Sequence, residues 1–77
     1  MQKSRIMHLK ELIQALKKRR EVLSVTQENL AELSGVGLRT LKALESGKSN
    51  PTFETLYKLA EVLGMELKFE VKKQKFW

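Results

Sequence analysis

The sequence predicts a mainly α domain of four helices followed by one β-strand. Three observations carry that expectation. Leucines and other apolar residues recur at helical spacing in four segments. Gly35, Gly47 and Gly64 fall where the second, third and fourth of these segments end. Beyond Gly64 the apolar residues switch to strict alternation, the pattern of a strand. The chain has 77 residues, 42% of them hydrophobic, which suits one small core. With Cys 0, neither disulfides nor zinc thiolates can reinforce it, so oligomerisation is the expected support.

The first segment, about 7–22, places Leu9, Leu12, Ile13 and Leu16 on one helical stripe. The run Lys17, Lys18, Arg19, Arg20 closes it, where cations suit the negative end of the helix dipole. Thr26 caps a second helix with Glu28 in its first turn and Leu30, Ala31 and Leu33 as its apolar side. Ser34 and Gly35 break it. A third helix, about 38–46, turns Leu41 and Leu44 inward and ends at Gly47, followed by the polar loop Ser49, Asn50, Pro51. Thr52 opens a fourth, with Phe53, Leu56, Tyr57, Leu59, Ala60 and Leu63 as its stripe. Met65, Leu67, Phe69 and Val71 then alternate with charged residues, as a half-buried strand does. No second strand pattern exists in the chain, so pairing with the same strand of an identical chain is expected; a fifth helix over these residues is the alternative.

Catalysis has little to work with. His8 is the only histidine, there is no thiol, and the acids are scattered among lysines. No metal-ligand cluster and no glycine-rich phosphate loop can be assembled, and no cofactor is expected. No apolar run reaches the roughly 18 residues of a membrane span, and the N-terminus lacks a signal peptide's hydrophobic stretch. A cytoplasmic binding protein is the remaining class.

Residues 27–46 form two short helical patterns joined by a glycine turn, the local signature of a helix-turn-helix. Ala31 is small where the helices would cross, and Gly35 can take the positive φ of the turn. Val36, Leu41 and Leu44 would bury the back of the second helix, leaving Leu38, Arg39, Lys42 and Ala43 outward.

The stretch from about Leu12 to Met65 resembles the Cro/repressor-type, or XRE-like, helix-turn-helix regulators. The resemblance rests on Thr26-Gln27-Glu28-Asn29-Leu30-Ala31 and Leu44-Glu45-Ser46-Gly47-Lys48-Ser49-Asn50-Pro51 at the family's separation. It implies a phage-repressor-like domain whose second motif helix enters the major groove of double-stranded DNA, in a bacterial-type, nucleoid-associated protein. Gln27 then matches the glutamine that holds a phosphate and braces that helix. Leu38, Arg39, Thr40, Lys42 and Ala43 match positions that touch bases or adjacent phosphates. Lys48, Ser49 and Asn50 lie in the loop that grips the backbone, and Arg20 with Glu45 matches an internal ion pair. Three departures stand out. Ser24 replaces a usual glycine, which strains a left-handed helix end unless the turn differs. Gly37 replaces the usual Ser or Thr cap of the recognition helix. Leu38 is apolar where a polar base-reader is frequent.

These readings divide the chain into an arm (1–7), a DNA-binding domain (8–64), a dimerisation strand (65–72) and a basic, aromatic tail (73–77). The net charge of +6 is uneven: residues 1–25 carry seven basic and two acidic residues, whereas 26–51 carry three of each. The function the resemblance implies is a homodimeric repressor of a palindromic operator. The alternative, from the strand after the fourth helix, is similarity to HipB-type antitoxins, which autoregulate their operon and neutralise a partner kinase; the tail ending in Phe76 and Trp77 would then dock on that toxin. An RNA-binding module is a weaker third reading. Phe53 and Tyr57 are expected in the core, which leaves no aromatic stacking platform.

Overall fold

Thr26 and Thr52 each precede an apolar helical stripe, and each starts a helix. A computed structural model describes residues 9–68 and 71, and within them the four expected segments are four helices. These are α1 (Leu9–Val22), α2 (Gln27–Ser34), α3 (Leu38–Glu45) and α4 (Phe53–Leu63). The start expected for α1 near residue 7, and His8, lie outside the described residues. The Thr26 hydroxyl accepts the Asn29 N–H at 3.0 Å, and that of Thr52 accepts the Thr55 N–H at 3.1 Å. Gly35 and Gly64 end their helices at φ +79° and +70°, a left-handed conformation that glycine adopts without a side-chain penalty.

One core joins all four helices. Leu30, Leu41, Leu44, Leu59 and Leu63 are sealed from solvent, with Ile13, Leu16, Ala31, Val36, Leu56 and Ala60 packed around them. α2 packs on both α3 and α4, and α1 closes the other side against the same two helices. At about 100° per residue, the buried arc of α4 is set by Leu56, Leu59, Ala60 and Leu63. Phe53 and Tyr57 fall just past one edge of that arc and stay 62% and 48% exposed, which corrects their expected place in the core. Their rings stack on the outside, centroids 6.3 Å apart. Hydrogen bonding to Glu61, one turn on, raises the pKa of the Tyr57 phenol. Leu33 is likewise exposed, because α2 buries the face of Leu30 and Ala31.

The alternation after Gly64 survives as a pattern of burial. Met65 and Leu67 lean half-buried on the core, while Glu66 and Lys68 face solvent. Residues 65–68 form no strand and no fifth helix. Met65 and Leu67, expected from sequence at a dimer interface, pack half-buried against the core of their own domain, beside Leu12, Leu16, Leu56 and Ala60. Phe69 lies outside the described residues, and Val71 is almost wholly exposed.

The basic run at the end of α1 acts at longer range than the dipole of its own helix. Arg19 Nε donates to the Leu63 carbonyl at 2.9 Å, satisfying the end of α4. Arg20 makes a two-pronged contact with Glu45: Nε to Oε2 at 2.7 Å and Nη2 to Oε1 at 2.9 Å. Its Nη1 donates to the Val25 carbonyl at 2.8 Å in the turn before α2. Hydrogen bonding to Glu45 raises the guanidinium pKa above its ordinary value. The side chains are 12% and 4% exposed.

Two variants test these features. Ser24 sits at φ +58°, and a non-glycine residue there costs about 1–2 kcal/mol. After glycine's own entropic penalty, Ser24→Gly should gain about 1 kcal/mol, a rise of roughly 4–8 °C in thermal denaturation. A lower melting temperature would show that the turn is not strained. Glu45→Ala leaves Arg20 buried and unpaired, and should cost about 3–5 kcal/mol in urea denaturation, near the limit for a domain of this size. The double variant Arg20→Met, Glu45→Leu should recover most of that loss; a double variant as unstable as the single would mean that the pair contributes far more than its desolvation cost.

Candidate nucleic-acid interface

The outward face of α3 is built from what its core face leaves over. Leu41 and Leu44 are buried, and Glu45 is held by Arg20. Arg39, Thr40 and Lys42 are exposed, Leu38 packs half-buried against the core, and Ala43 is half-buried. The expectation that Leu38 faces outward is therefore corrected: as the first helical residue its side chain leans onto the apolar cluster. Among the described residues no acid forms an ion pair with Arg39 or Lys42.

The N-terminus of α3 differs from those of α2 and α4. Those two have a threonine cap and a first-turn acid, Glu28 or Glu54. α3 has Gly37 at its cap position, no side-chain hydrogen bond there, and no acid in its first turn. Its leading N–H groups and the positive end of its dipole are left for an external acceptor. Gly37 itself has φ −59°, a value open to any residue, and a Cβ there would meet only the Thr40 hydroxyl at 3.8 Å. No backbone constraint at this position therefore requires glycine.

Gln27, at the first position of α2, donates its amide to Glu45 Oε1 at 2.9 Å. The carboxylate that receives Arg20 thus also receives α2. This bond pins Gln27 beside α3 and leaves the second amide hydrogen unused by Glu45.

The loop after α3 is fixed by backbone bonds, Gly47 N–H to the Leu44 carbonyl at 3.0 Å and Lys48 N–H to the Ala43 carbonyl at 2.9 Å. Lys48 and Asn50 project into solvent from it. Ser49 does not: its hydroxyl is buried without a hydrogen-bond partner, at a groove of about 490 Å³ between the loop and Leu9, Ile13 and Gln14 of α1. The structure thus gathers Gln27, Arg39, Thr40, Lys42, Lys48 and Asn50 along α3 and its two flanks, and turns Leu38 and the Ser49 hydroxyl inward. Of the three acids in residues 26–51, Glu28 and Glu32 are on α2 and Glu45 is buried. The exposed charges of α3 and its loop are all positive, although the segment sums to zero.

Among the described residues no three metal-ligating side chains converge, and no helix is long and apolar enough to cross a membrane.

A capped helix, a glycine turn at positive φ and a second helix with a bare basic face form a helix-turn-helix in its structural sense. Comparison with known proteins agrees. The sequence profile of the helix-turn-helix family matches residues 16–69. An uncharacterised HTH-type transcriptional regulator of Haemophilus influenzae is 40% identical over 63 residues, which is 82% of this chain and 60% of that protein. One of Methanothermobacter thermautotrophicus is 39% identical over 51 residues, 66% of this chain and 74% of the relative. Another, y4dJ of Sinorhizobium fredii, is 46% identical over 41 residues, 53% of each. The chain thus covers less than two thirds of the Haemophilus relative. With the fold, the α3 face and the profile in agreement, the chain belongs to the XRE-type helix-turn-helix family of DNA-binding transcriptional regulators.

Proposed function

We propose that this protein is a sequence-specific repressor that binds a palindromic operator as a homodimer. The observation that carries the reading is the face of α3: Arg39, Thr40 and Lys42 stand exposed beside a helix N-terminus that nothing in its own first turn neutralises. In the groove, α3 reads base edges. Gln27, Lys48 and Asn50 hold phosphates on either side and set the register. Lys10, Lys17 and Lys18 on α1 add to the positive field that draws the domain to DNA. Ser49, its hydroxyl buried without a hydrogen-bond partner, is set apart from these contacts.

A second copy is supported by the apolar surface left open: Phe53 and Tyr57 on α4, and Val71 beyond it. Two such copies would set their α3 helices about one turn of B-DNA apart, roughly 34 Å. The antitoxin alternative assigns its partner contact to residues 73–77, which lie outside the described residues, and no described residue favours it.

Selection from a random duplex pool should return a palindrome with half-sites about one turn apart, bound with a steep salt dependence. Lys48→Ala should weaken all duplexes by a similar factor, whereas Arg39→Ala should change the selected sequence. An unchanged consensus with Arg39→Ala would remove Arg39 from base readout. Val71→Asp should sediment as a monomer with operator affinity lowered tenfold or more, on the order of 1.4 kcal/mol. A Val71→Asp chain that remains dimeric would move the contact off the 65–72 segment.

A further inference from the structure

Resting on the DNA-binding reading, we infer that the sites this chain selects are read at guanine: each half-site carries two guanines within one or two base-pair steps, met by Arg39 and Lys42. The inference comes from which side chains the fold leaves free. In the major groove, guanine alone presents two acceptors side by side, N7 and O6. Adenine pairs an acceptor with a donor, cytosine presents a donor, and thymine an acceptor and a methyl group. A reader that can only donate is matched best by guanine.

The exposed charged side chains of α3 are donors only, a guanidinium and an ammonium. Thr40 can donate or accept and so does not discriminate. The groups that could read other bases are withdrawn. Glu45, the only acid on α3, would accept from cytosine, but it is 4% exposed and already receives Arg20 and Gln27. Gln27 gives one amide hydrogen to that carboxylate, which pins it at the flank of α3, where it is assigned to phosphate. Asn29, an exposed amide, belongs to α2, the helix that crosses the backbone in this motif. Gly37 offers no side chain, and Leu38 leans on the core.

Arg39 and Lys42 are three residues apart, about 4.5 Å along the helix, against a base-pair rise of about 3.4 Å. Their targets are therefore neighbouring or next-neighbouring base pairs, on either strand.

The test uses the full chain and its selected duplex, with each enriched guanine replaced in turn. Adenine or 7-deazaguanine, which lacks the N7 acceptor, should weaken binding roughly 5- to 100-fold. Inosine keeps N7 and O6 and loses only the minor-groove amino group, so affinity should stay within about twofold. Arg39→Gln, which presents a donor and an acceptor, should move one position of each half-site from guanine to adenine. A specific consensus that tolerates 7-deazaguanine everywhere, or an Arg39→Gln chain that still selects guanine there, overturns the guanine assignment and leaves the DNA-binding reading standing. If no duplex is preferred over the random pool, the DNA-binding reading fails and the guanine assignment falls with it.

Discussion

The buried carboxylate of Glu45 is the point on which the placement of α3 depends. It receives two hydrogen bonds from Arg20 of α1 and one from Gln27 of α2, and Arg20 also holds the Val25 carbonyl between those helices. Three helices thus converge on one group at the C-terminal end of the helix that faces outward. Leucines on α3 fix how deep it sits, but apolar contact is not directional and would tolerate rotation or sliding. A planar fork on a carboxylate tolerates neither, since both nitrogens must meet both oxygens. Paired with a cost of burying two charges, the contact adds orientation more than net stability.

That orientation has a second effect, on charge. Glu45 would otherwise place an acid on a helix that must approach phosphates. Burying it against Arg20 removes one acid and one base from the surface together. Exposed acids of the motif lie on α2, and exposed bases on α3 and its loop. Counting charge along the chain gives zero for residues 26–51 and suggests a face without electrostatic pull. Folded, the same residues present Arg39, Lys42 and Lys48 with no exposed acid among the residues of α3 and its loop. Net charge by segment hid a segregated surface, because the sign that matters is that of the exposed groups.

The helices were legible because each carries a local signal: an apolar stripe in all four, a threonine cap before α2 and α4, and a glycine after α2, α3 and α4. The α3 face was legible in part. Arg39 and Lys42 follow from the spacing of Leu41 and Leu44, and Thr40 from the resemblance alone; Leu38 does not follow, since the first residue of a helix can lean inward or outward at the same angle on the wheel. Tyr57 and Phe53 were misplaced for a related reason. Periodicity gives a stripe, while its width is set by what packs against it, and that comes from α1 and α2. Arg19 was out of reach altogether. Its partner is the Leu63 carbonyl, 44 residues away, and a backbone acceptor leaves no mark in the sequence. The alternation of residues 65–68 was legible as a period of burial but not as a conformation: these residues form no strand, and Met65 and Leu67 lean half-buried on their own core.

The same economy explains why function and stability interfere little here. Leu41 and Leu44 form the inner face of α3 and pack with Leu30, Leu59 and Leu63 behind it, whereas the side chains assigned to DNA carry no part of the core. The uncapped start of α3 runs the other way. A serine or threonine would fit at Gly37, and it would satisfy an N–H that the helix leaves open. Left unfilled, that N–H costs a few tenths of a kcal/mol in the free protein and is available to a phosphate oxygen in the complex. A small domain can carry such a deficit where the bound state repays it. Ser24 has no such return: it lies in the turn between α1 and α2, and nothing in the structure explains why it is not glycine.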